Sequence, residues 1–192
     1  MTFILRLGTL LALLISLSGC VSLMAPLGSE PMDRNHGERT FGAFIEDNAI
    51  ETKIRVNIKR SSEPLKKQRI VVVSFNGQVL LAGQVNNAEQ KRAAEEIARS
   101  IRHVEEVHNE LTQSGKISWL ARVNDSWITS KVKTRLAFSR DTDASRTKVV
   151  TENGVVYLLG LMTRAEADAV VKRVQKVYGV QKIVKIIEYI DR

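Results

Sequence analysis

Few residues in this chain are equipped for covalent or metal chemistry, and they do not form a constellation. The only cysteine, Cys20, follows Ser18 and Gly19 at the end of an apolar run from Leu7 to Leu17. With no second cysteine, no disulfide can form within the chain. The histidines, His36, His103 and His108, have no partnering Cys or acid cluster at metal-ligand spacing. Gly115-Lys116 is followed by Ile117 and lacks a glycine-rich loop ahead of it, so it is no phosphate-binding loop. No Gly-x-Ser-x-Gly occurs, and Asp141 and Asp143 sit in a loop without a carboxylate partner to share acid–base work. The sequence therefore predicts no catalytic residue, no metal, no cofactor and no enzyme.

The elements around these residues carry the information. The run ending at Leu17 is too short to span a bilayer, which needs about 20 apolar residues. Preceded by Arg6 and followed by small residues, it has the form of a secretory h-region. Leu17-Ser18-Gly19-Cys20 resembles the lipobox of bacterial lipoproteins. That resemblance implies cleavage after residue 19, acylation of Cys20 and tethering to a membrane, stable because several acyl chains hold where one is marginal. Val21, where an Asp typically marks inner-membrane retention in such lipoproteins, implies the periplasmic face of the outer membrane. Asn124-Asp125-Ser126 has the form of a glycosylation site. In a bacterial lipoprotein, helix capping by Asp125 or Ser126 is the better reading.

The chain has 192 residues and a formal charge of +8, which loss of the leader with its one base would lower to +7. A basic, exported, anchored protein meets anionic head groups or acidic envelope polymers rather than nucleic acid.

Residues 20–44 carry Pro26, Gly28, Pro31, Gly37 and Gly42 without steady periodicity and read as a flexible tether. Two similar segments follow, assigned to 45–112 and 124–192 and joined by a linker, 113–123. Each opens with a helical trio at four-residue spacing, Ile50, Ile54 and Ile58, then Ile128, Val132 and Leu136. Each continues with a strand-like run into Asn-Gly (Asn76-Gly77, Asn153-Gly154), the strongest short hairpin signal, and a returning strand. A second helix follows, Ala88–Ile101 and Ala165–Val177, the latter opened by a capping box of Thr163 and Glu166. A last strand closes each unit. The expected fold is α/β (α+β): two small helix–strand–strand–helix–strand units, each with a three-stranded mixed sheet, packed on one another because about 65 residues alone are marginal.

Gly77-x-Val79-x-Leu81-x-Gly83 and Gly154-x-Val156-x-Leu158-x-Gly160 resemble the signature of the BON domain, a small α/β module of bacterial envelope proteins. With the lipobox and tether, the whole chain resembles dual BON-domain outer-membrane lipoproteins. The resemblance implies support of envelope integrity, binding of anionic phospholipid such as phosphatidylglycerol, and gathering at division sites. The glycines themselves read as structural, supplying turns and close backbone approach.

Differences between the repeats point to where binding resides. With Ile128 at 0° on a helical wheel, Trp127, Lys131, Thr134 and Phe138 form a stripe at 240–300°, with Arg135 on its border. An aromatic beside cations suits a bilayer interface. The matching positions in repeat one are Ala49, Lys53, Val56 and Arg60, so the aromatics are lost. The expectation is that the second repeat binds anionic phospholipid through Trp127, Lys131, Thr134, Arg135 and Phe138. Packing of Trp127 against the other repeat or under the linker, as a satellite of the core, is the plain structural alternative. The rival function is an adaptor that uses the same stripe to dock on an envelope assembly or cell-wall remodelling complex. Trp119 reads better as a wedge in the linker. Lys59, Arg60, Lys66, Lys67 and Arg69 read as a solvated basic loop, with a second electrostatic membrane contact as the sharper alternative.

Overall fold

The computed structural model describes residues 40–139 and 146–190. The leader, Cys20, His36, the tether up to residue 39, and Asp141 and Asp143 lie outside these residues. The described residues all fall within one compact unit.

Repeat one runs α1 (Phe41–Ser61), a short α2 (Glu63–Lys66), β1 (Arg69–Phe75), β2 (Gln78–Val85), α3 (Ala88–Arg99) and β3 (Glu106–Gln113). Repeat two runs α4 (Trp119–Ala137), β4 (Thr147–Glu152), β5 (Val155–Met162), α5 (Arg164–Val174) and β6 (Lys182–Tyr189). Each sheet has three strands, the first antiparallel to the central one and the last parallel to it. This is the expected helix–strand–strand–helix–strand order twice over, with α2 an unexpected extra turn.

Local chemistry accounts for the element ends. Thr40, Asn87 and Ser118 each cap a helix by accepting from the backbone N–H three residues on. Thr163 and Glu166 form the expected reciprocal capping box, at 2.8 and 3.2 Å. Both hairpins turn on Asn-Gly with positive φ at both residues, 51° and 77° in the first, 50° and 75° in the second. α1 takes in Phe41–Phe44, assigned from sequence to the tether, and α4 takes in Trp119–Val123, assigned to the linker. The polar composition around residue 118 hid a helix whose cap is Ser118, not Asp125 or Ser126.

Asp125 has another task. It is buried within α4, and its carboxylate accepts the N–H groups of Asn153 and Gly154, each at 2.8 Å. Asp47 does the same in repeat one, accepting from Asn76 N–H at 2.8 Å, Gly77 N–H at 3.1 Å and the Ser74 hydroxyl at 2.6 Å. Each first helix thus holds its hairpin turn by satisfying N–H groups that the turn leaves free.

Packing forms four layers. Ile50, Ile54 and Ile58 join α3 in covering one face of the first sheet through Val72, Val79, Leu81, Val107 and Leu111. Ile128, Val132 and Leu136 join α5 in covering the second through Val149, Val156, Leu158 and Met162. The other faces meet: Val73, Phe75, Leu80 and Ala82 pack with Tyr157, Leu159 and Ile186. Central strands buried on both faces explain the continuous apolar runs in the sequence. Because sheet meets sheet, both helix layers lie outside, each with an outward face.

Charged contacts cross the same interface. Arg69 donates to Glu152 from Nε at 3.2 Å and Nη2 at 3.0 Å, and Lys148 reaches Glu51 at 2.6 Å and the Ser74 carbonyl at 3.0 Å. Arg69 therefore belongs to the contact between repeats, not to a solvated basic loop, and Lys66 pairs with Glu63 at 3.0 Å.

Tyr157 gives this interface a pH limit. Burial, aided by Glu110 and Glu152, pushes its phenol up from 10.0 to about 12. A raised pKa means the fold favours the protonated phenol, so its contribution is complete below pH 10 and is lost as pH rises towards 12. Tyrosinate absorbance at 295 nm, compared between the parent and Tyr157→Phe and followed alongside circular dichroism, is expected to show the Tyr157 phenol ionising only as pH approaches 12, with stability falling over the same range. A Tyr157 phenol titrating near pH 10 in the folded state would contradict it.

Candidate functional site

The outward face of α4 is the candidate site. Its inward residues, Ile128, Val132 and Leu136, are fully used in the core, and the four-residue spacing that buries them turns the 240–300° stripe to solvent. Trp127 is 64 % exposed and Phe138 is 87 % exposed, so neither packs against the other repeat. Lys131, Thr134 and Arg135 are exposed between them. Trp127, Ser130, Lys131, Thr134, Arg135 and Phe138 line one shallow groove of about 360 Å³. All five residues expected from the sequence are therefore brought to one surface. Ser130 joins them, and its place at 200° on the wheel is why the stripe missed it. From residue 126 to 138 the helix carries Lys131, Lys133 and Arg135 and no acid.

Trp119 and Leu120 occupy the first turn of α4 and are also exposed, so Trp119 is no wedge between units. Leu120 falls at 280° on the same wheel, which extends the apolar stripe along nearly the whole helix. A helix start at residue 119 was the signal needed to find it.

In repeat one, Ala49, Lys53, Val56 and Arg60 hold the matching positions, and Val56 is the exposed apolar residue among them. The exposed rings of α1, Phe41 and Phe44, lie instead at its first turns, stacked with centroids 6.5 Å apart. His108 bonds Gln78 at 2.8 Å, and His103 lies 3.6 Å from Glu46. Neither joins the α4 face. Among the described residues no group of His, Cys, Asp or Glu is arranged to hold a metal, and no helix is long and apolar enough to cross a membrane. A separate cavity of about 280 Å³ between α5 and β6 is lined by residues that include Val171, Gln175, Lys182 and Lys185, with no carboxylate, thiol, hydroxyl or imidazole among the described lining residues. What the α4 face offers is surface chemistry: rings that tolerate partial desolvation beside cations that attract anions.

Comparison with known proteins agrees with this layout. The BON domain family matches residues 46–115 and 124–191. The outer membrane lipoprotein DolP of Haemophilus influenzae is 37 % identical over 97 % of this chain and 96 % of its own. The 21 kDa hemolysin of Actinobacillus pleuropneumoniae is 34 % identical over 82 % of this chain and 85 % of its own. The C-terminal domain of CdsD, a structural protein of the type III secretion system of Chlamydia trachomatis, covers 73 % of this chain and 96 % of its own at 14 % identity, with a TM-score of 0.31 that carries no argument.

Proposed function

The chain belongs to the BON domain family, of the DolP-like kind with two BON domains, and from that premise we propose that it is a non-catalytic protein that binds anionic phospholipid through the outward face of α4. Likeness over almost the full length to an outer-membrane lipoprotein supports location at the outer membrane. Acylation of Cys20, and with it the periplasmic face, belongs to the proposal and rests on the lipobox.

One observation carries the reading: Trp127 and Phe138 are exposed on a helix whose neighbouring charges are all basic, whereas the first repeat has Ala49 and Arg60 there. A large apolar side chain held in water is unfavourable unless it is covered part of the time. Trp sits well at head-group depth, and Lys131 and Arg135 gain on the order of 1 kcal/mol each near an anionic surface. The acyl anchor would supply retention and α4 selectivity, so that even weak affinity acts at high local concentration. Support of envelope integrity and gathering at division sites follow from the family likeness alone.

A chain beginning at residue 21 keeps the compact unit entire and tests the reading without acyl chains. It is expected to sediment with vesicles containing phosphatidylglycerol and not with phosphatidylcholine alone. Trp127→Glu is expected to weaken binding about tenfold or more, since a carboxylate at head-group depth removes apolar contact and adds repulsion. Binding should also fall as ionic strength rises. Equal binding by a folded Trp127→Glu chain would move the contact elsewhere. Salt-independent association with an envelope protein, without vesicle binding, would favour an adaptor.

A further inference from the structure

Taking α4 as the lipid-contacting helix, we infer that the loop between α5 and β6 is a second element of the same surface, with Tyr178 entering the head-group layer of an anionic bilayer beside Lys131. Tyr178 is 90 % exposed, yet the residues on either side are fixed. Val177 is buried in the second core, and Val180 N–H donates to its carbonyl at 3.3 Å. Gly179 has φ +98° and lies against α4: a Cβ there would stand 3.0 Å from Ile128 Cδ1 and 3.1 Å from its Cγ1. Glycine adopts that conformation without strain, and a Cβ there would have to push the Ile128 side chain aside by a few tenths of an ångström. The ring is thus held out by a seated loop rather than trailing from a loose one.

What it is held beside matters. Lys131 Nζ lies 5.9 Å from the centre of the Tyr178 ring, within cation–π range. One helical turn before Lys131, on its other side around the wheel, stands Trp127. The lysine therefore rises between two interfacial aromatics from different elements. Such a lysine runs its methylenes along apolar surface and presents its ammonium at the level where lipid phosphates lie.

The first repeat shows what the fold requires at this loop. Strand pairing aligns Glu106 of β3 with Gln78 and Lys182 of β6 with Val155, which sets Tyr178 opposite Arg102 and Gly179 opposite His103. His103 shares the positive φ, 68°, so the turn is common to both repeats and the tyrosine is not. Aromatics thus replace Ala49 and Arg102 on two separate elements, and both replacements fall on one side of repeat two. Charge favours an anionic surface as the occupant. Residues 175–181 contain Lys176 and no acid, matching the basic, acid-free run of α4.

Cys20 is the chain's only cysteine, so a chain beginning at residue 21 accepts one label at Tyr178→Cys. An environment-sensitive nitrobenzoxadiazole dye there is expected to brighten and shift to the blue with phosphatidylglycerol vesicles but not with phosphatidylcholine. The same dye at Glu89→Cys, on α3, is expected to stay unchanged. Tyr178→Ser is expected to weaken vesicle binding roughly three- to tenfold, with Tyr178→Trp close to the parent. Binding that needs Trp127 while the dye at Tyr178→Cys stays silent and Tyr178→Ser binds like the parent would overturn the inference and leave α4 standing. No vesicle binding by the parent chain would overturn both.

Discussion

Gly83→Ala is expected to lower the stability of the first repeat by roughly 2–4 kcal/mol, the sum of a strained backbone and a displaced strand. Gly83 lies in the central strand β2 with φ +120°, and a Cβ there would stand 2.1 Å from the Arg69 carbonyl oxygen and 3.2 Å from its carbon. That neighbour is backbone, paired across the antiparallel ladder where Ile70 faces Gly83, and it has no rotamer by which to escape. Relief means moving the start of β1, and Arg69 is also the residue that reaches Glu152 in the other repeat. The local clash therefore spreads into the contact between sheets. Gly160, the counterpart in β5, separates the two causes. Its φ is not in the left-handed region, and its nearest obstacle, Met162 Cε at 2.5 Å, is the end of a flexible side chain, although the Arg146 oxygen lies at 2.7 Å. Gly160→Ala is expected to cost less. Urea unfolding followed by circular dichroism tests the order, and a Gly83→Ala midpoint equal to the parent would refute the close-approach account.

The glycine pattern that identifies the family from sequence is thus a packing requirement. Most of the fold was legible for similar reasons. Asn-Gly turns, helical trios and a capping box are local signals, and the turns and trios occur twice, so one repeat corroborates the other. Strand pairing follows once the hairpins are set. What was not legible depends on residues distant in sequence. Asp125 looks like a helix cap until a hairpin turn 28 residues away offers its N–H groups. Arg69 looks like one more base in a basic run until Glu152, 83 residues on, meets it. The α4 stripe was visible because helical periodicity alone determines which residues share a face. Tyr178 was not, because its place beside Lys131 depends on how a loop seats on a helix, and Gly179 reveals that only when Ile128 is seen against it.

Glu152→Ala is expected to destabilise the chain by roughly 2–3 kcal/mol, below the roughly 3–5 kcal/mol for breaking a fully buried ion pair because the Arg69 side chain is 36 % exposed. Glu152 aligns with Phe75 across the repeats, so the second sheet buries a carboxylate where the first buries a ring. That carboxylate is 4 % exposed and fully engaged, accepting two bonds from Arg69 and one, at 3.0 Å, from Gln84 Nε2. Truncation leaves the guanidinium without its partner and strands Gln84, whose Oε1 already has no bond among the described residues. Glu152→Gln, which retains an acceptor but not the charge, is expected to fall between alanine and the parent. Apolar packing between the sheets sets their register by shape alone, and a fork of two N–H groups on one carboxylate adds a directional constraint. The pair is therefore expected to help set how the repeats meet, together with Lys148 on Glu51 and the Ser74 carbonyl, and with it the orientation of the helix layer that carries α4. A double-mutant cycle with Arg69→Ala measures this directly: a coupling energy of about 1 kcal/mol or more is expected, and strictly additive losses would show that the pair holds nothing in place.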